Sequence, residues 1–306
     1  MSIAPLLALA LCLDAIAGEP RALWSRLPHP AVLMGRAVSA CEQALNTGAF
    51  KRAKGTAAII LLCLITGLIA WALQHLGTIP TVLLAAILLA QRSLVDHVKA
   101  VATGLRQSEE AGRTAVSMIV SRDVSNATPS ATARSAIESL SENFSDGVIA
   151  PAFWFLIAGL PGITIYKMVN TADSMVGYLT PRHAEYGWAS ARLDDVLNWI
   201  PARLTALLIC VAGGALSKWR AICADAKLHR SPNAGWPEAA IASSMGIALA
   251  GPRSYHGKVR ELAWVNGDGR RELTPADIDV AVSIVWKSWS LALITVCCLG
   301  GFLWVF

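Results

Sequence analysis

The chain has 306 residues, of which 55% are hydrophobic and 15% charged, and its mean hydropathy is +0.50. Soluble domains carry roughly 25% charged residues, so this composition excludes an ordinary soluble domain. The net charge of +5 is spread over several loops, which is typical of membrane topology signals and not of nucleic-acid binding. No alternating strand pattern recurs, which argues against a β-barrel. We therefore predict an all-α, polytopic integral membrane protein that forms one membrane-embedded domain over residues 1–306.

The first hydrophobic run covers residues 2–17 and predicts an uncleaved first membrane helix. Ala15-Ile16-Ala17 has the form of a signal-peptidase site, but no Lys or Arg precedes Arg21, and Asp14 interrupts the apolar run. Residues 18–54 then carry six basic residues against two acidic ones. The positive-inside rule places this segment in the cytoplasm.

Residues 55–76 and 81–89 predict a membrane hairpin that turns at Gly77-Thr78-Ile79-Pro80. The polar residues 91–147 would then be cytoplasmic. Residues 288–306 form another run of bilayer length near the C-terminus.

A polar stripe precedes the next hydrophobic run. Thr128-Pro129 is a good helix start, because Thr caps a helix and Pro suits its first position. Arg134, Glu138, Glu142 and Asp146 follow at intervals of four, so a helix would stack them along one face. Ionisable groups near the hydrocarbon are costly and are usually functional. The alternative is a plain salt-bridged ladder from Arg134 to Glu138.

Two hydrophobic runs, residues 148–166 and 200–216, are ambiguous. The first contains Gly159-Leu160-Pro161-Gly162, which should break a straight helix, so this run either crosses the membrane or dips in and returns. The basic residues 217–287 should be cytoplasmic, which requires both runs to cross or neither. We favour neither, because all polar segments then lie on one face, although four and six complete crossings both stay open.

The polar clusters have the chemistry of a phosphate and metal site. Asp194, Asp195 and Asn198 offer oxygen ligands that suit Mg²⁺, although Arg192 or Arg203 could equally pair with the two carboxylates. Lys167 and Arg203 could hold phosphate, or could be ordinary interfacial side chains.

The loop His229-Arg230-Ser231-Pro232-Asn233 could cup an anion with its backbone, although no nucleotide-binding motif precedes it. His29 and His229 favour orienting roles over metal binding. The seven cysteines form no CxxC pair and are best explained as small buried side chains.

The ordered motifs of this chain resemble those of the CobD/CbiB family of cobalamin biosynthesis, the adenosylcobinamide-phosphate synthases. The resemblance spans nearly the full length and rests on Pro28-His29-Pro30 with Gly35, Arg122-Asp123, AIESLSENFSDGVIAP, YKMVNTADSMVGY, ARLDDVLNWIPARL and HRSPNAGWPEAA. Gly18-Glu19-Pro20 departs from the expected Gly-Asp-Pro, and Ala31 stands where Val is expected. The first departure puts a catalytic role for Glu19 in doubt.

The resemblance implies formation of an amide bond. The free propionate carboxylate of adenosylcobyric acid would be joined to aminopropanol or to its O-phosphate, which gives adenosylcobinamide or its phosphate. Activation would use ATP as co-substrate and Mg²⁺ on the phosphates.

We assign roles by residue type within these motifs. Asp146, Asp194 and Asp195 would bind Mg²⁺, and Lys167, Arg192 and Arg203 would contact phosphate. Glu138 or Glu142 would deprotonate the amine. The residues that would orient the substrate are Asn143, Asn170, Asp173 and Asn233. Asn143 and Asp173 also belong to the predicted catalytic set, and His229 belongs to the predicted substrate-binding set.

A membrane transporter of a corrinoid or another small molecule is the main alternative, since it would explain broken helices with polar residues at membrane depth. A phosphatidyl- or prenyl-transferase and a catalytically silent relative are weaker alternatives. The expected partners are the two substrates, the lipid bilayer and other cobalamin-assembly enzymes, with no nucleic acid. The expected location is the bacterial cytoplasmic (inner) membrane.

Overall fold

The structure, a computed structural model, describes residues 3–305 apart from 256–257 and 261–262. Almost all regular structure in this part of the chain is helical, which confirms the predicted all-α class. The chain divides into two compact units, each assembled from separated segments. The first comprises Met1–Ala90, Asp146–Trp199 and Thr295–Phe306, and the second comprises Gln91–Ser145 and Ile200–Ile294. The single domain predicted for residues 1–306 stays a prediction.

The first unit is built from long apolar helices. Its helices are α1 Ile3–Ala17, α2 Arg21–Trp24, α3 Pro30–Leu45, α4 Lys51–Gln74, α5 Thr78–Leu88, α9 Ala150–Val176 and α10 Trp188–Leu197. Helix α9 is central, because α1, α3, α4, α5 and α10 all pack against it. Its side chains Phe155, Leu160 and Ile163 are buried in this core.

The second unit contains shorter helices and two small β-ladders. Its elements are α6 Gln91–Gln107, α7 Glu109–Ser117, α8 Pro129–Phe144, α11 Trp199–Ala212, a 3₁₀ turn Leu216–Lys218, α12 Trp219–Ala226, α13 Gly235–Met245, β1 Leu249–Ala250, β2 Arg253–Tyr255, β3 Lys258–Arg260 and β4 Trp264–Val265. Strand β1 pairs antiparallel with β4, and β2 pairs antiparallel with β3. Helix α14, Pro275–Val305, begins in this unit and ends in the first.

Four helical stretches are long and apolar enough to cross a membrane, or five if α10 and α11 are counted as one bent span. The four are Lys51–Gln74, Thr78–Gln107, Pro129–Val176 and Pro275–Gly301. The predicted hairpin of residues 55–76 and 81–89 is confirmed, because α4 and α5 are joined by a turn at Gly77. Helix α1 is helical as predicted, although its 15 residues reach only about 22 Å.

The predicted start of α8 is confirmed. The Thr128 side chain accepts a hydrogen bond from the Ala131 amide at 3.2 Å, and Pro129 occupies the first turn. The helix ends at Phe144, where a π-helical turn, Ser145–Ile149, begins. This wider turn changes the angular spacing of the residues that follow. The predicted stripe thus enters this π-helical turn at Asp146, and Glu138 pairs with Arg122 at 2.6 Å.

Helix α9 reverses direction at Ala158 and Gly159. Gly159 has φ +64°, and the Leu160 amide donates to Gln74 Oε1 of α4 at 2.7 Å. The Tyr166 hydroxyl lies 3.0 Å from the Asp146 carbonyl oxygen, a contact that a straight helix would hold about 30 Å apart. The chain thus dips in and returns, which was one of the two predicted alternatives for residues 148–166.

The last helix is longer than the sequence indicated. We expected a hydrophobic run over residues 288–306, but α14 already begins at Pro275. The reason is a local cap: the Thr274 amide and hydroxyl donate to Asp277 Oδ2 at 2.7 and 2.9 Å. The first half of this helix contains Asp277, Asp279 and Lys287, which interrupt the apolar run, and the run alone therefore underestimated the length of the helix.

Candidate active site

The returning half of α9 carries the polar residues of the first unit. Tyr166, Asn170 and Asp173 recur at intervals of four and three, so they lie on one face of the helix. Ile165, just before this face, sits beside Gly67, where a Cβ would approach Ile165 Cδ1 to 2.9 Å. Gly67 lies near the middle of the membrane-length helix α4. Tyr166 therefore lies at about the depth of Gly67 on a candidate membrane span, and Asn170 and Asp173 lie about 6 and 10.5 Å further along the helix.

A hydrogen-bonded chain connects this face to α10. Asp194 Oδ1 accepts from Asn170 Nδ2 at 3.3 Å, and Asp194 Oδ2 accepts from Asn198 Nδ2 at 3.0 Å. The Tyr166 hydroxyl lies 2.9 Å from Asn198 Oδ1, and both of these side chains are 1% exposed. A partly buried hydrogen-bonded network of this kind favours one arrangement of its members. Asp194 is therefore fixed against the face of α9.

Lys167 lies within electrostatic range of three carboxylates, Asp146, Asp194 and Glu19. Its side chain is half-buried. Within the described part of the chain, its ammonium group has no hydrogen bond and no ion pair. A partly desolvated ammonium group with carboxylates nearby but no fixed partner is well suited to receive a phosphate or a carboxylate from a ligand.

The oxygen chemistry of this cluster fits a hard divalent cation. Asp173 and Asp194 repel each other electrostatically, and the amides of Asn170 and Asn198 adjoin them. Among the described residues, no three His, Cys, Asp or Glu side chains are grouped to hold a metal by themselves. Mg²⁺ usually takes one or two carboxylates and completes its shell with water and substrate phosphates, so the donor set fits that mode. The three-carboxylate assignment to Asp146, Asp194 and Asp195 stays a prediction.

Asp195 lies in a different environment from Asp194. It pairs with Arg192 at 3.2 Å, and the two side chains are 29% and 66% exposed. This pair matches the alternative explanation considered for the sequence, in which Arg192 neutralises one of the two carboxylates. The structure thus distinguishes two adjacent residues that the sequence could not.

The second unit contains Glu138, which is tied on both oxygens. Arg122 Nη2 lies 2.6 Å from Oε2, and the Ala250 amide donates to Oε1 at 2.8 Å. Arg122 also donates to Ser135 Oγ at 2.7 Å. Glu142 and Asn143 are exposed near the end of the same helix, and Asn143 donates to Ser139. Glu138 is held as a structural anchor, whereas its role as a base stays a prediction.

The loop that precedes α13 forms a second cluster of predicted residues. Arg203 Nη1 donates to Asn233 Oδ1 at 3.3 Å, and its guanidinium stacks 4.6 Å from the Trp236 ring. His229 Nδ1 accepts from the Ser231 amide at 3.0 Å, while Nε2 lies 3.6 Å from Glu238. These contacts of His229 within the loop agree with the orienting role that the sequence favoured over metal binding.

The predicted residues thus fall into two sets. The first unit holds Asp146, Lys167, Asn170, Asp173, Arg192, Asp194 and Asp195, and the second holds Glu138, Glu142, Asn143, Arg203, His229 and Asn233. The sequence motifs include Tyr166 but gave no reason to assign it a role, whereas in the structure its hydroxyl contacts Asn198. A catalytic role for Glu19 was in doubt from the sequence, and the structure places Glu19 within electrostatic range of Lys167.

His29 has a structural role. Its Nδ1 accepts a hydrogen bond from the Ala31 amide at 3.2 Å and so caps α3, while Nε2 lies 3.2 Å from the Ile87 carbonyl oxygen. Burial is the largest effect on the pKa of His29 and lowers it. Both ring nitrogens are occupied by the backbone, so the expected orienting role agrees with the geometry.

Comparisons with known proteins point to one family. The family model described as "CobD/Cbib protein" matches residues 7–285. A "Cobalamin biosynthesis protein CobD" of Brucella suis biovar 1 (strain 1330) is 48% identical over 304 residues, which cover 93% of each chain. Proteins with the same name from Rhizobium meliloti (strain 1021) and Rhodobacter capsulatus are 47% and 44% identical, covering 94% and 91% of this chain and 93% and 91% of theirs.

No solved structure matches the chain. The sequence matches nevertheless extend over nearly the whole length, at identities well above those at which fold and family become doubtful. This chain belongs to the CobD/CbiB family.

Proposed function

We propose that this chain acts in cobalamin biosynthesis and couples adenosylcobyric acid to aminopropanol or its O-phosphate, with ATP as co-substrate. The names of its relatives support the pathway. The amide-forming reaction is what the family resemblance implies, and the chemistry of the first-unit cluster is what supports it.

The observation that carries the proposal is the environment of Lys167. Lys167 has carboxylates in electrostatic range but no hydrogen bond or close ion pair among the described residues, and it offers charge for a phosphate. The hydrogen-bonded Asp194 offers an oxygen ligand for the cation that accompanies the phosphate. A purely structural lysine at membrane depth would be paired or would reach the interface.

The proposed reaction has two steps. The propionate carboxylate attacks the γ-phosphorus of ATP, which forms an acyl phosphate and releases ADP. The neutral amine then attacks the acyl carbon, inorganic phosphate leaves, and the amine proton passes to a base. Lys167 would hold the transferred phosphate, and Asp173, on the same face of α9, is the first-unit carboxylate that we assign to proton acceptance. Mg²⁺, held by Asp194 with Asn170 nearby, would neutralise charge on the phosphates.

The proposed setting is the bacterial cytoplasmic membrane, with lipid and other enzymes of the pathway as partners. No relative reported above is named as a transporter, and the transporter alternative therefore gains no support.

The direct test is product formation by detergent-purified protein. It would receive adenosylcobyric acid, ATP, Mg²⁺ and either amine, with mass spectrometry of the corrinoid. The expected product is a corrinoid heavier by one condensed amine, and the better amine identifies the substrate. Absence of product with both amines, in protein that gives a cooperative thermal transition, would contradict the proposal.

A further inference from the structure

Glu42 is a buried acid outside every set considered so far. It lies on α3, where its side chain is 8% exposed, although acidic residues are rarely buried unless they are paired. The sequence offered no reason to single it out beyond its place in a basic segment.

The partner of Glu42 lies in the loop between α9 and α10. Arg182 Nε donates to Glu42 Oε1 at 2.9 Å and Arg182 Nη2 donates to Oε2 at 2.8 Å, so the pair is bidentate. Asn46 donates both to Glu42 Oε1 and to the Arg182 carbonyl, each at 2.9 Å. His183 Nε2 lies 3.6 Å from Oε1. A fork-to-fork pair supported by two further polar groups fixes geometry as well as charge.

The same loop is packed tightly at its other end. A Cβ on Gly55 of α4 would meet the Tyr186 carbonyl oxygen at 1.9 Å, and one on Gly187 would meet the Val176 carbonyl oxygen at 1.7 Å. The Arg52 guanidinium stacks 3.6 Å from the Trp188 ring at the start of α10. The loop of residues 177–187 is thus held from α3 and from α4.

This loop joins the two helices whose side chains make the candidate site. Asp173 lies four residues before it on α9, and Asp194 lies seven residues after it on α10. At the site these helices are linked by the Tyr166–Asn198 contact at 2.9 Å and by the longer Asn170–Asp194 hydrogen bond at 3.3 Å. The loop adds a third constraint on the register of the two helices, at the end where they are joined.

We propose that Glu42 is a positioning residue. Through Arg182 it fixes the α9–α10 loop, and this in turn keeps Asp194 opposite Asn170 and Asp173. The consequence for activity rests on the proposed function, whereas the consequence for α10 does not.

The test compares Glu42→Gln and Arg182→Gln with wild-type protein by hydrogen exchange and by synthase kinetics. We expect faster amide exchange in residues 177–187 and in α10. Because misplacement of a catalytic group by about 1 Å through a distant change can cost about 100-fold, we expect kcat/KM to fall by roughly 10- to 100-fold and the Mg²⁺ requirement to rise. The double variant should lose no more than the more affected single variant, and Arg182→Lys should recover part of the loss.

Asp96→Asn is the matched control, because it removes the exposed Arg92–Asp96 pair of α6, at 2.9 Å. It should change neither readout. Arg182 is exposed, so Arg182→Gln removes the same pair even where Glu42→Gln fails to fold.

Unchanged exchange in α10 would overturn the proposal, and so would faster exchange with wild-type kcat/KM. If wild-type protein has no synthase activity, the proposed function fails, while α10 exchange still decides whether Glu42 positions that helix.

Discussion

At the scale of single residues, adjacent carboxylates in this chain have different surroundings. Asp194 accepts hydrogen bonds from Asn170 and Asn198, whereas Asp195 pairs with the exposed Arg192. The sequence Asp194-Asp195 could not separate them, because both residue types and their spacing suit Mg²⁺ equally.

Substitution of these two carboxylates should therefore have unequal effects. We expect Asp194→Asn to lower kcat/KM by about 100-fold or more, a loss of roughly 2.7 kcal/mol of transition-state stabilisation, because it removes the charge nearest the network. Asp195→Asn should cost less than about tenfold. Kinetics over a Mg²⁺ titration would measure both, and equal losses would contradict the distinction.

Lys167 provides the second residue-level prediction. Lys167→Met should reduce kcat/KM for ATP by about 10- to 100-fold, since a charge-assisted hydrogen bond to phosphate contributes roughly 1.5–3 kcal/mol. Lys167→Arg keeps the charge and should recover part of the activity. If Lys167→Met bound and used ATP like wild-type protein, the phosphate role would be wrong.

At the scale of elements, the reversal of α9 depends on one glycine. Gly159 has φ +64°, and a Cβ there would lie 2.4 Å from Gln74 Oε1, the acceptor that caps the returning half-helix. The sequence predicted a break from Gly159-Leu160-Pro161-Gly162, but not the side chain from α4 that closes it.

Gly159→Ala should lower stability by roughly 1–3 kcal/mol, because φ +64° with ψ −148° is a backbone conformation essentially restricted to glycine, with more from the clash with Gln74. The apparent Tm in detergent measures this. Gly301→Ala is the control, because nothing lies within 4 Å of its Cβ position, and it should leave Tm unchanged or slightly raised. Equal effects of the two substitutions would argue against a special conformation at Gly159.

The Glu42 pair gives a pH dependence of stability. The side-chain hydrogen bonds from Arg182 and Asn46 lower the pKa of Glu42 from 4.5 to about 2. A lowered folded-state pKa contributes stability above the unfolded value, and this contribution is lost as pH falls from about 4.5 towards 2. The Tm difference between wild type and Glu42→Gln should therefore be constant above about pH 5 and shrink below about pH 4. A difference independent of pH would contradict the assignment.

At the scale of the whole molecule, contacts within the first unit determine sidedness. Asn46, before α4, donates to the Arg182 carbonyl, and Gly159 lies beside Gln74 at the far end of α4. The 24 residues of α4 span about 36 Å, more than the hydrocarbon core of a bilayer. The loops at residues 46–50 and 177–187 should therefore share one side of the membrane.

Single cysteines test this arrangement in protein whose seven free cysteines have been replaced. A membrane-impermeant maleimide should label Thr47→Cys and Glu185→Cys from the same side and His75→Cys from the other, since all three positions are exposed. Labelling of positions 47 and 185 from opposite sides would mean that residues 148–176 cross the membrane once.

The sequence by itself determined the class, the family and the local signals. Hydrophobic runs, the Thr128-Pro129 start, the Gly77 turn and the break near Gly159 are local properties, because each depends on side chains and dihedral angles within a few residues. Tertiary structure decided which of the motif residues meet. Lys167, Asp194 and Glu19 are far apart in sequence, and the packing of the first unit brings both carboxylates into electrostatic range of Lys167. The π turn at Ser145–Ile149 and the burial of Glu42 likewise depend on packing between distant segments, which a linear pattern of residues does not encode.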